Sequence, residues 1–367
     1  MAATTPPLRR SSATTTIPPP PRNITSVKKL AETPNLSSIP PNYAYYNNPT
    51  KTTASDSDDA IPTVDLSLLS SSNPDQKSKA VHNLGKSCQE WGFFMLVNHG
   101  IPERLMMDMI EVIKEFFNLG DEEKPEFEPE KVLEPIRYGT SFNAAKDEVL
   151  CWRDFLKVFV HPHFHSPHKP QSLRNLLEEY SERIRNVVRE LVKGISEGLG
   201  LEECEMEKAL ELGSGLQVFV ANLYPPCPNP EVALGLAPHS DHGLLTLVIQ
   251  NEGGGLQIQH KGEWVNVNAP PNSILVNTGD HLEIFSNGKY KSVMHRAVVN
   301  NERSRISIVM ANGPSPEAVV RPASKVVQAQ GCTPAYAPMK YKEYLLSQQS
   351  NKLNGKSMLE QIKIQDL

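Results

Sequence analysis

The chain has 367 residues, 39% of them apolar and 22% charged, and its formal net charge is −5. That size and balance suit one large or two ordinary globular domains with a sizeable core, and exclude collagen, coiled coil and wholesale disorder. A mildly acidic chain with no run of about 18 apolar residues gives no reason to expect a nucleic-acid partner or a membrane span.

Residues 1–60 hold ten of the 31 prolines, including the run Pro18–Pro21, with many Ser and Thr. Residues 1–22 bury too little apolar area to offset their ordering entropy and read as a disordered tail. This stretch has arginines and no acid before Glu32, so plastid import is a minor alternative; the proline run breaks the helical face such a signal needs. Residues 23–60 read as an arm that docks on the body, followed by a linker. Five cysteines (Cys88, Cys151, Cys204, Cys227 and Cys332) form no CxxC pair. They suit reduced thiols in the cytoplasm better than a disulfide framework.

The body opens at IPTVDLS (61–67), a short strand. Helical spacing follows at Ala80, Leu84, Cys88 and Trp91, and again at Leu105, Met106, Met109, Ile110, Ile113, Phe116 and Phe117. Between them WGFFMLVNHG (91–100) reads as a buried strand closed by Gly100. A long amphipathic helix is expected over about 171–199, with Leu173, Leu177, Tyr180, Ile184, Val187, Leu191 and Ile195 on one stripe. From residue 216 short β-rich segments alternate with turns: 216–224, 244–250, 256–259, 264–268, 273–279, 293–299 and 305–311. Many short strands with turn punctuation argue a mostly β core, a double-stranded β-helix (jelly roll), with helices packed on it. We therefore divide the body into an N-terminal helical/mixed domain (61–210), a jelly-roll domain (211–320) and a C-terminal segment (321–367) whose closing helix covers 336–346.

His239 and Asp241 stand two apart in PHSDHGLLTL, so on an extended backbone both point to one face. His295, in SVMHRAVV, is a third candidate on a returning strand. Two imidazoles and one carboxylate on one side of a metal leave positions open, which suits non-haem iron(II) better than a closed structural zinc. His242 should face away by strand parity. Arg305 and Ser307 are again two apart, in RISIVMA. An inward guanidinium demands an anion, and its fork fits a carboxylate; a surface salt bridge to Glu302 or Glu283 is the other reading. Asn222 and Tyr224, two apart in ANLYPPCP, can face the metal-bound end of a small dicarboxylate. The tract HPHFHSPH (161–168) reads as a solvated loop rather than a metal site.

These motifs resemble the plant iron(II)- and 2-oxoglutarate-dependent dioxygenases of hormone and specialised metabolism. The resemblance rests on IPTVDLS, WGFFMLVNHGIP, WRDFLKV, ANLYPPCPNPE, APHSDHGLLTLVIQ, GGLQI, WVNVN, LVNTGDHLEIFSNGKYKSVMHRAV and RISI, in the family's order over about residues 61 to 345. It implies His239, Asp241 and His295 as iron(II) ligands, and Arg305 and Ser307 as the clamp for the 2-oxoglutarate C5 carboxylate. Tyr224 and Asn222 would contact its other end. It also implies O2 as oxidant and ascorbate as reductant, with hydroxylation, demethylation or desaturation coupled to succinate and CO2. Flavonoid-oxidising relatives carry an aromatic and an acidic residue where this chain has Ala311 and Gly313, and a lysine where it has Val220. Those departures point to a less polar or larger substrate. Phe155, Tyr138, Phe142, Phe219 and Ala311 are the candidate pocket residues. We expect a monomer acting on a small molecule. An iron-dependent oxidase without 2-oxoglutarate, or a non-catalytic ligand-binding jelly roll, are the alternatives.

Overall fold

The structure is a computed structural model that describes residues 26–45, 61–124, 133–350 except Asn143 and Ala145, and 355–364. The tail at 1–22 and the linker after residue 45 lie outside the described residues. In chain order the elements begin with helix α1 (Val27–Ala31), strand β1 (Thr63–Asp65), α2 (Pro74–Glu90), β2 (Phe93–Val97) and α3 (Glu103–Asn118). Then come β3 (Ile136–Thr140), β4 (Asp154–His161), α4 (Leu173–Gly198) and α5 (Glu205–Ala209). The β-rich half contains β5 (Gln217–Tyr224), β6 (Leu236–His239), β7 (Leu245–Gln250), β8 (Leu256–His260), β9 (Glu263–Asn266) and β10 (Ile274–Thr278). After it follow α6 (Asp280–Phe285), β11 (His295–Ala297), β12 (Arg305–Asn312), β13 (Val319–Val320), α7 (Ser324–Gln330), β14 (Met339–Lys340), α8 (Tyr341–Ser350) and α9 (Ser357–Gln361).

Two sheets form the jelly roll. The larger runs β1-β2-β10-β7-β12-β5-β4-β3, and the smaller β6-β11-β8-β9. The N-terminal region is not only helical. It supplies β1 to β4, which flank the later strands on both edges of the larger sheet. Strand alternation divides that sheet's two faces. Ile306, Ile308 and Met310 of β12, Phe219, Ala221 and Leu223 of β5, and Leu156 and Val158 of β4 join one core with the helices. Arg305, Ser307, Val309 and Ala311 point the other way, into a cavity between the sheets.

The helices cover the outer face because their apolar stripes match it. α2 starts where Asn73 caps it, its side-chain oxygen accepting from the backbone of Asp75 (3.0 Å) and Gln76 (3.3 Å), with Pro74 in the first turn. It ends before Gly92, whose φ of +60° turns the chain into β2. α4 buries Leu173, Leu177, Tyr180, Ile184, Val187, Leu191 and Ile195 against the core, the stripe expected from their spacing.

The arm docks on the start of β4. The Asp154 carboxylate accepts from Ser26 Oγ (2.6 Å), Val27 N (2.8 Å) and Lys28 N (3.0 Å), so a buried acid holds the first turn of α1. Val27, Ile39 and Tyr43 then pack with Trp152 and Cys227. The closing helix α8 starts five residues later than the sequence pattern suggests, because β14 takes Met339–Lys340 to pair with β13.

Candidate functional site

β6 and β11 are antiparallel neighbours, and their register sets His295 directly opposite His239. Asp241 follows at the end of β6. Its Oδ1 lies 3.8 Å from His239 Nε2 and 3.7 Å from His295 Nε2. One donor atom from each residue therefore faces a common point, and among the described residues this is the one such group.

The surroundings fix those donors. His239 Nδ1 lies 2.8 Å from the Ala237 carbonyl and His295 Nδ1 3.2 Å from the Val293 carbonyl. A carbonyl only accepts, so Nδ1 carries the hydrogen and Nε2 presents its lone pair inward. Burial, then the neighbouring His295, pushes His239 down to about 3, so its imidazole is neutral at physiological pH. Burial works against the Asp241 carboxylate, but His295 and His239, where they carry a proton, and a hydrogen bond from Asn277 Nδ2 (2.9 Å to Oδ2) hold it below the usual carboxylate range. Gly279 serves the same loop. A Cβ there would clash with the backbone of Gly243 and reach 3.0 Å from the Asp241 carbonyl oxygen.

Two neutral nitrogen donors and one carboxylate on a single side fit a divalent first-row metal with open positions. His242 makes no part of this group. Its Nδ1 pairs with the Tyr341 hydroxyl at 2.7 Å, and burial, followed by the charge of Lys157, pushes it down to about 4.

The second constellation lies on β12. Arg305 is 4% exposed, and both its Nη2 (2.7 Å) and Nε (3.2 Å) donate to Gln250 Oε1. Its Nη1 is buried and has no partner among the described residues. The guanidinium carbon stands 4.9 Å from the Tyr224 ring centre. Neither acid considered from sequence reaches it: Glu302 is exposed, and Glu283 accepts from Tyr336 (2.8 Å) and the Ser292 amide (2.7 Å). Ser307 Oγ accepts from Asn222 Nδ2 at 3.2 Å, and Asn222 Oδ1 accepts from Arg153 Nη1 at 2.7 Å. A buried cation with a neutral partner and a spare donor calls for a carboxylate.

The register refines the sequence reading of β5. Tyr224 is paired with Arg305 and Asn222 with Ser307, so the two pairs are direct neighbours on the sheet.

Residues 215–314 match the 2OG-Fe(II) oxygenase superfamily, and residues 61–179 match the non-haem dioxygenase in morphine synthesis N-terminal family. The chain is 46% identical over 305 residues to 2-oxoglutarate-dependent dioxygenase 19 of Oryza sativa subsp. japonica, covering 83% of this chain and 90% of that one. This chain belongs to the plant 2-oxoglutarate- and iron(II)-dependent dioxygenases. Thebaine 6-O-demethylase of Papaver somniferum is 36% identical, covering 93% of this chain and 96% of its own. A crystal structure of JOX2 in complex with 2OG, Fe and JA superposes with a TM-score of 0.82 at 30% identity, covering 93% of this chain and 98% of that one. The dioxygenase is accordingly an oxidoreductase that uses iron(II) and 2-oxoglutarate and acts on a small molecule.

The cavity of this dioxygenase joins the two constellations. Its lining includes His239, Asp241 and His295 together with Arg305 and Ser307. Phe142, Phe155 and Ala311 line it. Phe219 and Tyr138 do not. Phe219 sits between Val218 and Val220 on β5, so alternation turns it into the outer core. Tyr138 packs edge-on against Phe116 at 5.9 Å. The sequence reading also missed several lining residues: Arg137, Arg153, Lys157, Asn277 and the α8 pair Gln348 and Gln349. A signal existed for β4, because Arg153, Phe155 and Lys157 alternate with Leu156 and Val158, which belong to the core.

Proposed function

We propose that His239, Asp241 and His295 hold iron(II), and that Arg305 and Ser307 hold the distal carboxylate of 2-oxoglutarate, with Tyr224 and Asn222 shaping that clamp. On this reading the enzyme hydroxylates, oxidatively demethylates or desaturates a small plant specialised metabolite. For hydroxylation the balance is R–H + 2-oxoglutarate + O2 → R–OH + succinate + CO2. Iron(II), when bound, supplies the oxygen activation that couples the two halves.

The chain's own groups do the rest. The Ala237 and Val293 carbonyls keep each imidazole facing inward, and Asn277 keeps the carboxylate turned to the same point. Val218, Val220, Val248, Val309 and Ala311 form an apolar wall that limits water and orients the substrate's C–H bond. The observation that carries the reading is the convergence of Nε2, Nε2 and Oδ1 within one small volume beside a buried, underpartnered arginine. That arginine also favours 2-oxoglutarate over an oxidase that does without it.

We further propose a monomer in the cytoplasm with ascorbate as reductant. The free thiols support a reducing compartment. The exposed large apolar residues Leu68, Met107, Val319 and Ile364, single positions scattered along the chain, support a monomer. The test is to incubate purified protein with iron(II), ascorbate, 2-oxoglutarate and a plant extract. Succinate formation and a metabolite mass shift, both requiring 2-oxoglutarate, are expected. A mass shift that proceeds equally without 2-oxoglutarate would contradict the reading.

A further inference from the structure

The cavity holds more positive charge than the keto-acid clamp uses. On the inner face of the larger sheet, Arg137 of β3 lies directly across from Lys157 of β4, and Lys157 directly across from Val220 of β5. The same row continues through Val309 of β12 to Val248 of β7. All five side chains line the cavity. Lys157 is 6% exposed, and its Nζ donates to the neutral amide oxygen of Gln349 at 3.0 Å. Arg137 is half-buried, its guanidinium carbon 6.0 Å from the ring centre of Phe155. Among the described residues no carboxylate pairs with either cation.

Two cations side by side in a largely desolvated site are unfavourable to each other as well as to burial. Burial, then Arg137, pushes Lys157 down to about 7. An anion placed between them removes both costs. The clamp residues belong to other rows, Ser307 to that of Asn222 and Phe155 and Arg305 to that of Tyr224, so one small dicarboxylate on the clamp leaves the Arg137–Lys157 pair unmatched. Val220, Val309 and Val248 continue the row of the pair as an apolar strip.

We propose that Arg137 and Lys157 form a second anion site that binds the substrate's own carboxylate. The substrate is then an amphipathic acid: its carboxylate meets the β3–β4 edge, and its apolar body crosses Val220, Val309 and Val248 toward His239, Asp241 and His295. This inference rests on the reading under the previous heading. It also revises what Val220 suggests in isolation: the cation absent from β5 stands on the neighbouring strand.

Calorimetric titration of the full chain, loaded with manganese(II) as a redox-inert stand-in and with 2-oxoglutarate, tests it. The probes are benzoic, cinnamic and phenylacetic acids and their methyl esters. At least one acid should bind about tenfold or more tighter than its ester, as expected for charge-assisted hydrogen bonds lost on esterification. Lys157→Met and, separately, Arg137→Met should erase that preference while 2-oxoglutarate binding stays as in the unsubstituted protein. Acids that bind no better than esters, no binding by any acid, or a preference that survives both substitutions would overturn the inference. Failure of the unsubstituted protein to bind manganese and 2-oxoglutarate would overturn the reading beneath it, and this inference with it.

Discussion

Arg305 keeps its charge at any physiological pH, yet it donates to the neutral amide of Gln250 and no carboxylate pairs with it among the described residues. Gln250 fixes the fork, and Nη1 is left buried without a hydrogen-bond partner among the described residues. A lysine carries the same charge without the planar fork. Arg305→Lys should therefore raise the 2-oxoglutarate concentration for half-maximal succinate formation by about tenfold or more. An unchanged requirement would place the keto-acid elsewhere.

Lys157 offers a test by pH. Its pKa falls from 10.5 to about 7, chiefly through burial. Between those values the unfolded chain holds a proton that the folded chain has released, so this residue makes stability rise with pH across that window. Lys157→Met removes the effect. Its gain in stability over the unsubstituted protein should be largest, on the order of a few kcal/mol, near about pH 7 and shrink toward about pH 10. Denaturant melts at the two pH values check this, and a gain that does not vary with pH would contradict it.

At the scale of elements, the arm is held by one carboxylate. Asp154 gathers Ser26 Oγ and two backbone amides, at 2.6, 2.8 and 3.0 Å. Asp154→Ala leaves those donors without an acceptor in a buried place, at a cost of about 3 kcal/mol. The expected signature is a lower denaturant midpoint together with faster proteolysis near residue 31; an unaltered midpoint would show that Val27 and Tyr43 dock the arm alone. The short β-rich segments after residue 216 were legible because alternation and turn residues mark them. The inward pairs His239 with Asp241, and Arg305 with Ser307, were legible through the same two-residue period. β6 was not, since LAPH carries a proline and has no apolar alternation. β4 alternates, but Asp154 and Lys157 on it, and Arg153 just before it, look like solvent-facing residues until the cavity and the arm are in place.

At the scale of the whole molecule, the jelly roll is completed by chain from both ends. β1 and β2 close one edge of the larger sheet, β3 and β4 the other. α8 then returns to the cavity. Tyr341 holds His242, Tyr344 donates to Asp280 at 2.6 Å, and Gln349 accepts from Lys157. These contacts join residues 64 to 192 positions apart, so no local pattern announces them. That is why the grouping of His239, Asp241 and His295 and the shared face of Arg305 and Ser307 could be read from sequence, while the side of the cavity that α8 lines could not. It is also why the acid-binding pair emerges only from the β3–β4 register.

The most direct measurement is an anaerobic iron(II) titration of the full chain and of His239→Ala, Asp241→Ala and His295→Ala, each followed by circular dichroism. The unsubstituted protein should take up a single equivalent of iron(II), and each variant should lose that uptake while keeping its spectrum. A variant that still binds one equivalent, or a folded unsubstituted protein that binds none, would contradict the account.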